Sequence, residues 1–319
     1  MLLQRWFSAL GRRWRAAVVA CTVLGVGWVA WAQGPPLRRL FVVGTQPLRL
    51  VAAREDPPAE SQAQFDRRHG HRHVAANGIP DHKVGQFPNR GNPNAIREQR
   101  YQFNLPADPQ PAQRITPLHD AGRRGPPNMP FGVATNGVLF DPGTAEFYGG
   151  DPRGWNYEAL GGAVPLGIDT NHAHVQPGGS YHYHGLPTLL LAQLDWSRDR
   201  HSPQIGWAAD GFPIYAVYGY ADPKDPQSEI AALRSSYRLK RGNRPGGARH
   251  PGGKYDGTFI QDYEYVAGAG DLDACNGRFC LTPEFPEGTY AYFLTEEWPV
   301  IPRAFRGTPV NLRMRPPRR

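Results

Sequence analysis

Apolar positions along this chain come in short runs rather than long periodic stretches. Val133–Phe140, Ser180–His184, Pro213–Tyr220, Thr258–Val266 and Thr289–Leu294 are of strand length and rich in β-branched and aromatic residues. Clusters of Gly, Pro, Asn and Asp separate them and read as turns. A helical period is visible only over Ser228–Leu239, where Ile230, Leu233 and Tyr237 predict one amphipathic turn or two. With 37 glycines and 33 prolines in 319 residues, the chain cannot sustain many long helices. The pattern predicts an all-β fold, a loop-rich sandwich or irregular barrel with few short helices.

The two ends differ from the body. Arg5, Arg12, Arg13 and Arg15 precede an uncharged apolar run from Ala16 to Ala30, and Ala30-Trp31-Ala32 offers a small-x-small cleavage site. Residues 1–32 therefore read as a signal peptide and place the protein in the periplasm or outside the cell. No stable membrane association is expected after cleavage, although Trp28 and Trp31 leave a retained anchor as the alternative. A twin-arginine signal at Arg12-Arg13 and a lipoprotein box at Cys21 fit less well. The first lacks the apolar pair that should follow, and the second has too short an apolar run before it. Residues 33–76, with Pro35-Pro36, Pro57-Pro58 and many polar residues, predict a flexible Pro/His/Arg-rich segment, apart from a strand near Leu40–Val43. The main domain is expected over residues 77–309, followed by a basic tail at 310–319.

Charge excludes a nucleic-acid role. The net charge of +8 is concentrated at the ends: four arginines lie before residue 33 and six beyond residue 297, with no acidic residue in either stretch. The body between is left at −2, without the basic face that phosphate binding demands.

The candidate chemistry lies in residues 171–185, which carry two His-x-His pairs, His172/His174 and His182/His184, around Gln176-Pro177-Gly178-Gly179-Ser180. Alternate residues of a strand share a face, so a hairpin centred on Gly178 sets His174 opposite His182 and His172 opposite His184. All four imidazoles would then project together, with Tyr181 and Tyr183 on the other face. A slip of one residue would separate the two pairs. Neutral imidazole is the commonest side-chain metal ligand, and histidines without nearby thiolates suit copper first and zinc second. His82, in Ile79-Pro80-Asp81-His82, could add a ligand or merely close its turn. Asp210 could orient a ligand imidazole through its outer nitrogen, or serve only its own Asp-Gly turn. His69, His71 and His73 read as a solvated His/Arg-rich stretch. After the signal, Cys275 and Cys280 are the only cysteines, and an oxidising compartment predicts a disulfide between them. No serine-hydrolase elbow and no phosphate loop is present: His182 stands where the elbow's last glycine belongs, and Ala248 where the loop's first would be.

The run Tyr181-His182-Tyr183-His184, after Ala173-His174-Val175-Gln176-Pro177, resembles the signature of the YHYH-domain proteins, an exported family. Matching pieces follow in order from Asn77-Gly78-Ile79-Pro80-Asp81-His82 through Asp141-Pro142-Gly143-Thr144-Ala145-Glu146 and Asp210-Gly211-Phe212-Pro213-Ile214-Tyr215. They continue to Cys275-Asn276-Gly277 and Pro286-Glu287-Gly288-Thr289-Tyr290. The resemblance implies an asparagine at the position of His172 in many relatives, which makes His174, His182 and His184 the core set. It also implies an acidic residue where Ala274 stands, and a second histidine run that Thr289–Phe293 lacks. It assigns no reaction. Three functions stay open: a metal-dependent exported enzyme of redox type, a non-catalytic metal-handling protein, or a module binding a polymer or protein without metal. Substrate and partner are not named by the sequence.

Overall fold

The computed structural model describes residues 48–118 and 130–313. The expected signal, the strand expected near Leu40–Val43 and the end of the basic tail lie outside the described residues. The described chain is all-β, in several open sheets, and its only α-helix is the short segment Thr188–Gln193. No sheet closes, so the barrel alternative does not apply. Among the described residues no helix is long and apolar enough to cross a membrane.

Strands β1 (Ala63–Arg68), β2 (His71–Ala76) and β3 (Tyr101–Pro106) form one antiparallel sheet. Over residues 63–76 this corrects the expectation of a flexible segment at 33–76. Between β1 and β2, His69 and Gly70 take φ of 52° and 73°, which suits a two-residue hairpin turn. Arg72, Val74 and Ala76 bury one side of β2 while His71 faces solvent, an alternation hidden by the charged composition. The Arg72 guanidinium lies over the Trp207 ring and ties this sheet to the next.

Further along come β4 (Thr116–Pro117), β5 (Gly132–Ala134), β6 (Leu139–Phe140), β7 (Ala173–Val175), β8 (Tyr181–Tyr183), β9 (Gly206–Ala208) and β10 (Pro213–Ala216). The segment expected to be helical is extended instead. β11 (Tyr218–Tyr220) pairs with β12 (Ile230–Ala232), and β13 (Tyr237–Leu239) with β14 (Tyr263–Tyr265). Buried Ser235 and Ser236 separate β12 from β13, and the Ser236 hydroxyl donates to the Leu272 carbonyl at 2.6 Å. Partners distant in sequence outrank the local helical period. β15 (Gly277–Thr282) and β16 (Phe285–Leu294) complete the large sheet, of order β15-β16-β10-β9-β5-β6-β8-β7, while β17 (Ala304–Phe305) pairs with β4.

The main core packs aromatic rings from this sheet, among them Phe131, Phe140, Tyr181, Tyr183 and Tyr292. Cys275 belongs to it, whereas Cys280 belongs to a smaller cluster with Tyr215, Leu272 and Phe293. The expected disulfide is therefore corrected: both cysteines are buried free thiols, held in two different apolar clusters.

Candidate metal centre

The Gly178-centred register is the one the fold adopts. His174 faces His182, with Ala173 opposite Tyr183 and Val175 opposite Tyr181. The turn closes through Gln176 N–H to the Ser180 carbonyl (2.9 Å) and Gly179 N–H to the Gln176 carbonyl (2.8 Å). Gly179 sits at φ 86°, and a Cβ there would come within 2.6 Å of the Arg97 side chain, so this position is restricted to glycine twice over.

Three of the four hairpin histidines converge. The ring centroids of His174, His182 and His184 are 4.6–4.7 Å apart, and their ligand nitrogens all lie within 4.8 Å of one another. A tetrahedral ion with bonds of about 2.0–2.1 Å spaces its nitrogens about 3.4 Å apart, so small ring rotations would close the cluster on one ion. Backbone carbonyls orient two of the rings: His174 Nδ1 lies 2.9 Å from the Leu166 oxygen and His182 Nδ1 3.2 Å from the Ser180 oxygen. A carbonyl only accepts, so each Nδ1 carries the proton and each Nε2 keeps its lone pair. His184 is completely buried, and neither of its ring nitrogens has a side-chain hydrogen-bond partner. The Pro142 carbonyl, which also accepts from Arg303 Nη1 at 2.9 Å, is the one acceptor acting on the ring, so at least one of the two nitrogens is left without a partner.

Burial keeps all three rings neutral. It pushes His174 down to about 3, with further help from His182, and His182 down to about 4. It takes His184 well below the usual histidine range, with His174, His182 and Arg303 adding to the shift. Three unprotonated imidazoles aimed at one point are the donor set a divalent transition metal requires.

His172 does not join them. It precedes β7 at φ 54°, which ends the two-residue alternation there. The backbone pairing with His184 persists through the His184 N–H to the His172 carbonyl at 2.7 Å, but the His172 ring turns to the Leu186 carbonyl at 2.8 Å. His82 lies with the tyrosines instead: its Nδ1 meets the Lys83 carbonyl at 2.8 Å and its Nε2 the Tyr183 hydroxyl at 2.6 Å. Both nitrogens are engaged there, away from the cluster. Asp210 is fully used elsewhere, accepting from the Tyr292 hydroxyl, the Gly307 N–H at 2.8 Å and the Phe212 N–H. Backbone carbonyls, rather than Asp210, orient the histidines.

The carboxylate beside the cluster is Asp141, which sequence reasoning missed. β6 runs parallel to β8 with Leu139 opposite His182 and Phe140 opposite Tyr183, and the Asp141 N–H continues the ladder to the Tyr183 carbonyl at 2.9 Å. Asp141 therefore falls on the histidine face, one step beyond Leu139. A cavity of about 630 Å³ opens here, lined among others by His174, His182, Asp141, Gln176, Tyr101 and Arg313. Burial raises the Asp141 pKa, while Arg313, the Gln176 amide, the Gly143 N–H and His174 draw it back. Gln176 Nε2 donates to its Oδ2 at 3.1 Å, and its buried Oδ1 has no side-chain donor. The available signal was an aspartate ending an apolar run, which alone does not say which strand lies alongside.

No curated protein and no solved structure matches the chain significantly. The profile of the YHYH protein family matches residues 102–307, more than half of the sequence and the whole of the hairpin with its histidines. The chain belongs to the YHYH protein family.

Proposed function

We propose that this protein is an exported metalloprotein in which His174, His182 and His184 hold one transition-metal ion and leave a coordination position open to the cavity. The reading rests above all on His184, a fully buried imidazole beside two others, with no side-chain partner and at least one nitrogen unpaired. An unpaired buried polar group costs about 1–3 kcal/mol, which ligation would offset. Three protein ligands, two of them lining a cavity, suit a catalytic rather than a closed structural site. Imidazole ligands without thiolates favour copper, with zinc second. With copper, the site would carry out redox chemistry on a small substrate entering the cavity, as a metal-dependent oxidoreductase. Location in the periplasm or outside the cell is part of the proposal and rests on residues 1–32.

Metal analysis of protein purified from the periplasm without added metal tests this. One ion per chain is expected, and the His182→Ala/His184→Ala double variant should lose nearly all of it while circular dichroism stays β-type. Full occupancy in the double variant would overturn the site. Wild type that takes up neither copper nor zinc would return the three histidines to packing and favour a metal-free binding module. Tight metal without turnover on oxidisable substrates would favour metal handling.

A further inference from the structure

The cavity above the histidines contains a second incomplete group. Asp141 is buried at 6 % exposure, shares the histidine face by strand register, and lines the same cavity as His174 and His182. One carboxylate oxygen is held by Gln176, and no side chain donates to the other, Oδ1. The Gly143 N–H acts on the carboxylate from the backbone and leaves lone-pair capacity over. Asp141 is not within the group of side chains whose ligand atoms converge to 4.8 Å, so it stands beside the cluster rather than in it. A buried acceptor that no side chain pairs, beside the coordination position proposed above, has one economical use, which is to receive a proton-bearing group bound at that position.

We propose that Asp141 selects the ligand at the open position, accepting a hydrogen bond from it, so that the site takes protic oxygen or nitrogen ligands such as alcohols, hydroxamates or water in preference to aprotic anions. This rests on the metal reading above and names the ligand class of the same site. The opposing groups are consistent with it. Gln176 occupies Oδ2 and fixes the carboxylate plane, and Arg313 lies at the exposed rim of the cavity. No side-chain donor among the described residues takes Oδ1. An aprotic anion would meet that oxygen with its own negative charge and with no proton to offer.

The test uses the full protein loaded with cobalt(II), whose visible spectrum reports ligands entering the open position. Azide serves as the aprotic anion and acetohydroxamate as the protic ligand. Asp141→Asn should tighten azide by about tenfold and weaken acetohydroxamate by about tenfold, since hydrogen bonds to charged groups are worth about that factor or more. Gln176→Ala should move the ratio of the two affinities the opposite way. Gln176 is exposed and shapes the turn through its backbone, so this variant guards against misfolding of the first. An unchanged ratio in both variants overturns the proposal. Cobalt lost from Asp141→Asn in a folded protein overturns it too, because Asp141 would then be a direct ligand. Failure of wild type to bind cobalt, copper or zinc would instead sink the metal reading itself, and so is distinguishable.

Discussion

The two faces of the β7–β8 hairpin are made by alternating residues of the same strands, yet their polar groups end in opposite states. On one face Tyr181 donates to Asp169 at 2.8 Å, and Asp169 also accepts from the Gly85 and Asn171 backbone N–H groups at 2.8 Å each. Tyr183 meets His82 at 2.6 Å and accepts from the Asn136 amide at 3.0 Å. That network is closed. On the other face no side chain pairs either nitrogen of His184 or Oδ1 of Asp141, and only the Pro142 carbonyl and the Gly143 N–H act on them from the backbone. Polarity and burial are alike on both faces, so neither marks a site. What distinguishes the histidine face is that its hydrogen bonding is incomplete, the feature on which the proposed metal site rests.

Acid should break the comparison hardest in the metal-free protein. The folded-state pKa values of His172 and His182 fall to about 4 and that of His174 to about 3. All three lie below the unfolded value near 6.5, so the unfolded chain takes up protons that the folded chain refuses. Stability is therefore full above about pH 6.5 and falls as the pH drops towards 4, by at most about 1.4 kcal/mol per pH unit for each histidine. Asp169, raised to about 6 by burial, acts in the opposite sense, losing stability as pH rises between about 4 and 6, and Asp141, Asp210 and Glu296 are raised too. The histidines still outnumber them, since burial also lowers His82, His184 and His201. Urea midpoints measured from pH 7.5 to 4.5 in the presence of a chelator check this. A flat profile would mean that the histidines are not buried as neutral bases.

Metal should sharpen the contrast from the other side. Free copper or zinc at a thousand times its dissociation constant should stabilise the folded protein by about 4 kcal/mol. His184→Ala should abolish the gain, whereas changes on the tyrosine face should leave it intact. Equal stabilisation of His184→Ala and wild type in thermal melts would place the ion elsewhere.

On the closed face, Asp169→Ala should lower stability by about 3 kcal/mol, because it strands the Tyr181 hydroxyl and several backbone N–H groups together. Metal stoichiometry should not change. Loss of the ion from a folded Asp169→Ala protein would show that the closed network holds the hairpin's register, and so the site.

How much of this was legible in the sequence depends on whether the deciding contact was local. The His-x-His spacing and the Pro-Gly-Gly turn set the register, and with it the pairing of His174 with His182 and the tyrosines behind them. His172 escaped because one left-handed residue at the strand's edge reorients its ring, and no spacing rule registers that. Asp141 escaped because β6 comes from far earlier in the chain and reaches His184 only through a parallel pairing. Ser228–Leu239 misled for the same reason: its apolar period is helical, but β11 and β14 supply strand partners that the local pattern does not contain. The cysteines were read from compartment chemistry, which says nothing of the separate clusters into which their side chains pack.

The smallest expected effect separates the faces most finely. Tyr183→Phe removes one hydroxyl from the closed network and nothing from the ring packing against Phe140. His82 Nε2 then loses its donor, while the Asn136 amide keeps Asp81 as an acceptor at 3.0 Å. With a single buried acceptor left unpaired, the loss should be about 1–2 kcal/mol, read as a lower urea midpoint with an unchanged slope. Because the phenol projects away from the histidines, the metal dissociation constant should stay within about threefold, less than the loss typical when a group holding a ligand is removed. A tenfold weaker metal site in a variant so little destabilised would join the two faces: the hydroxyl network would then position His182 and His184 through the strand between them.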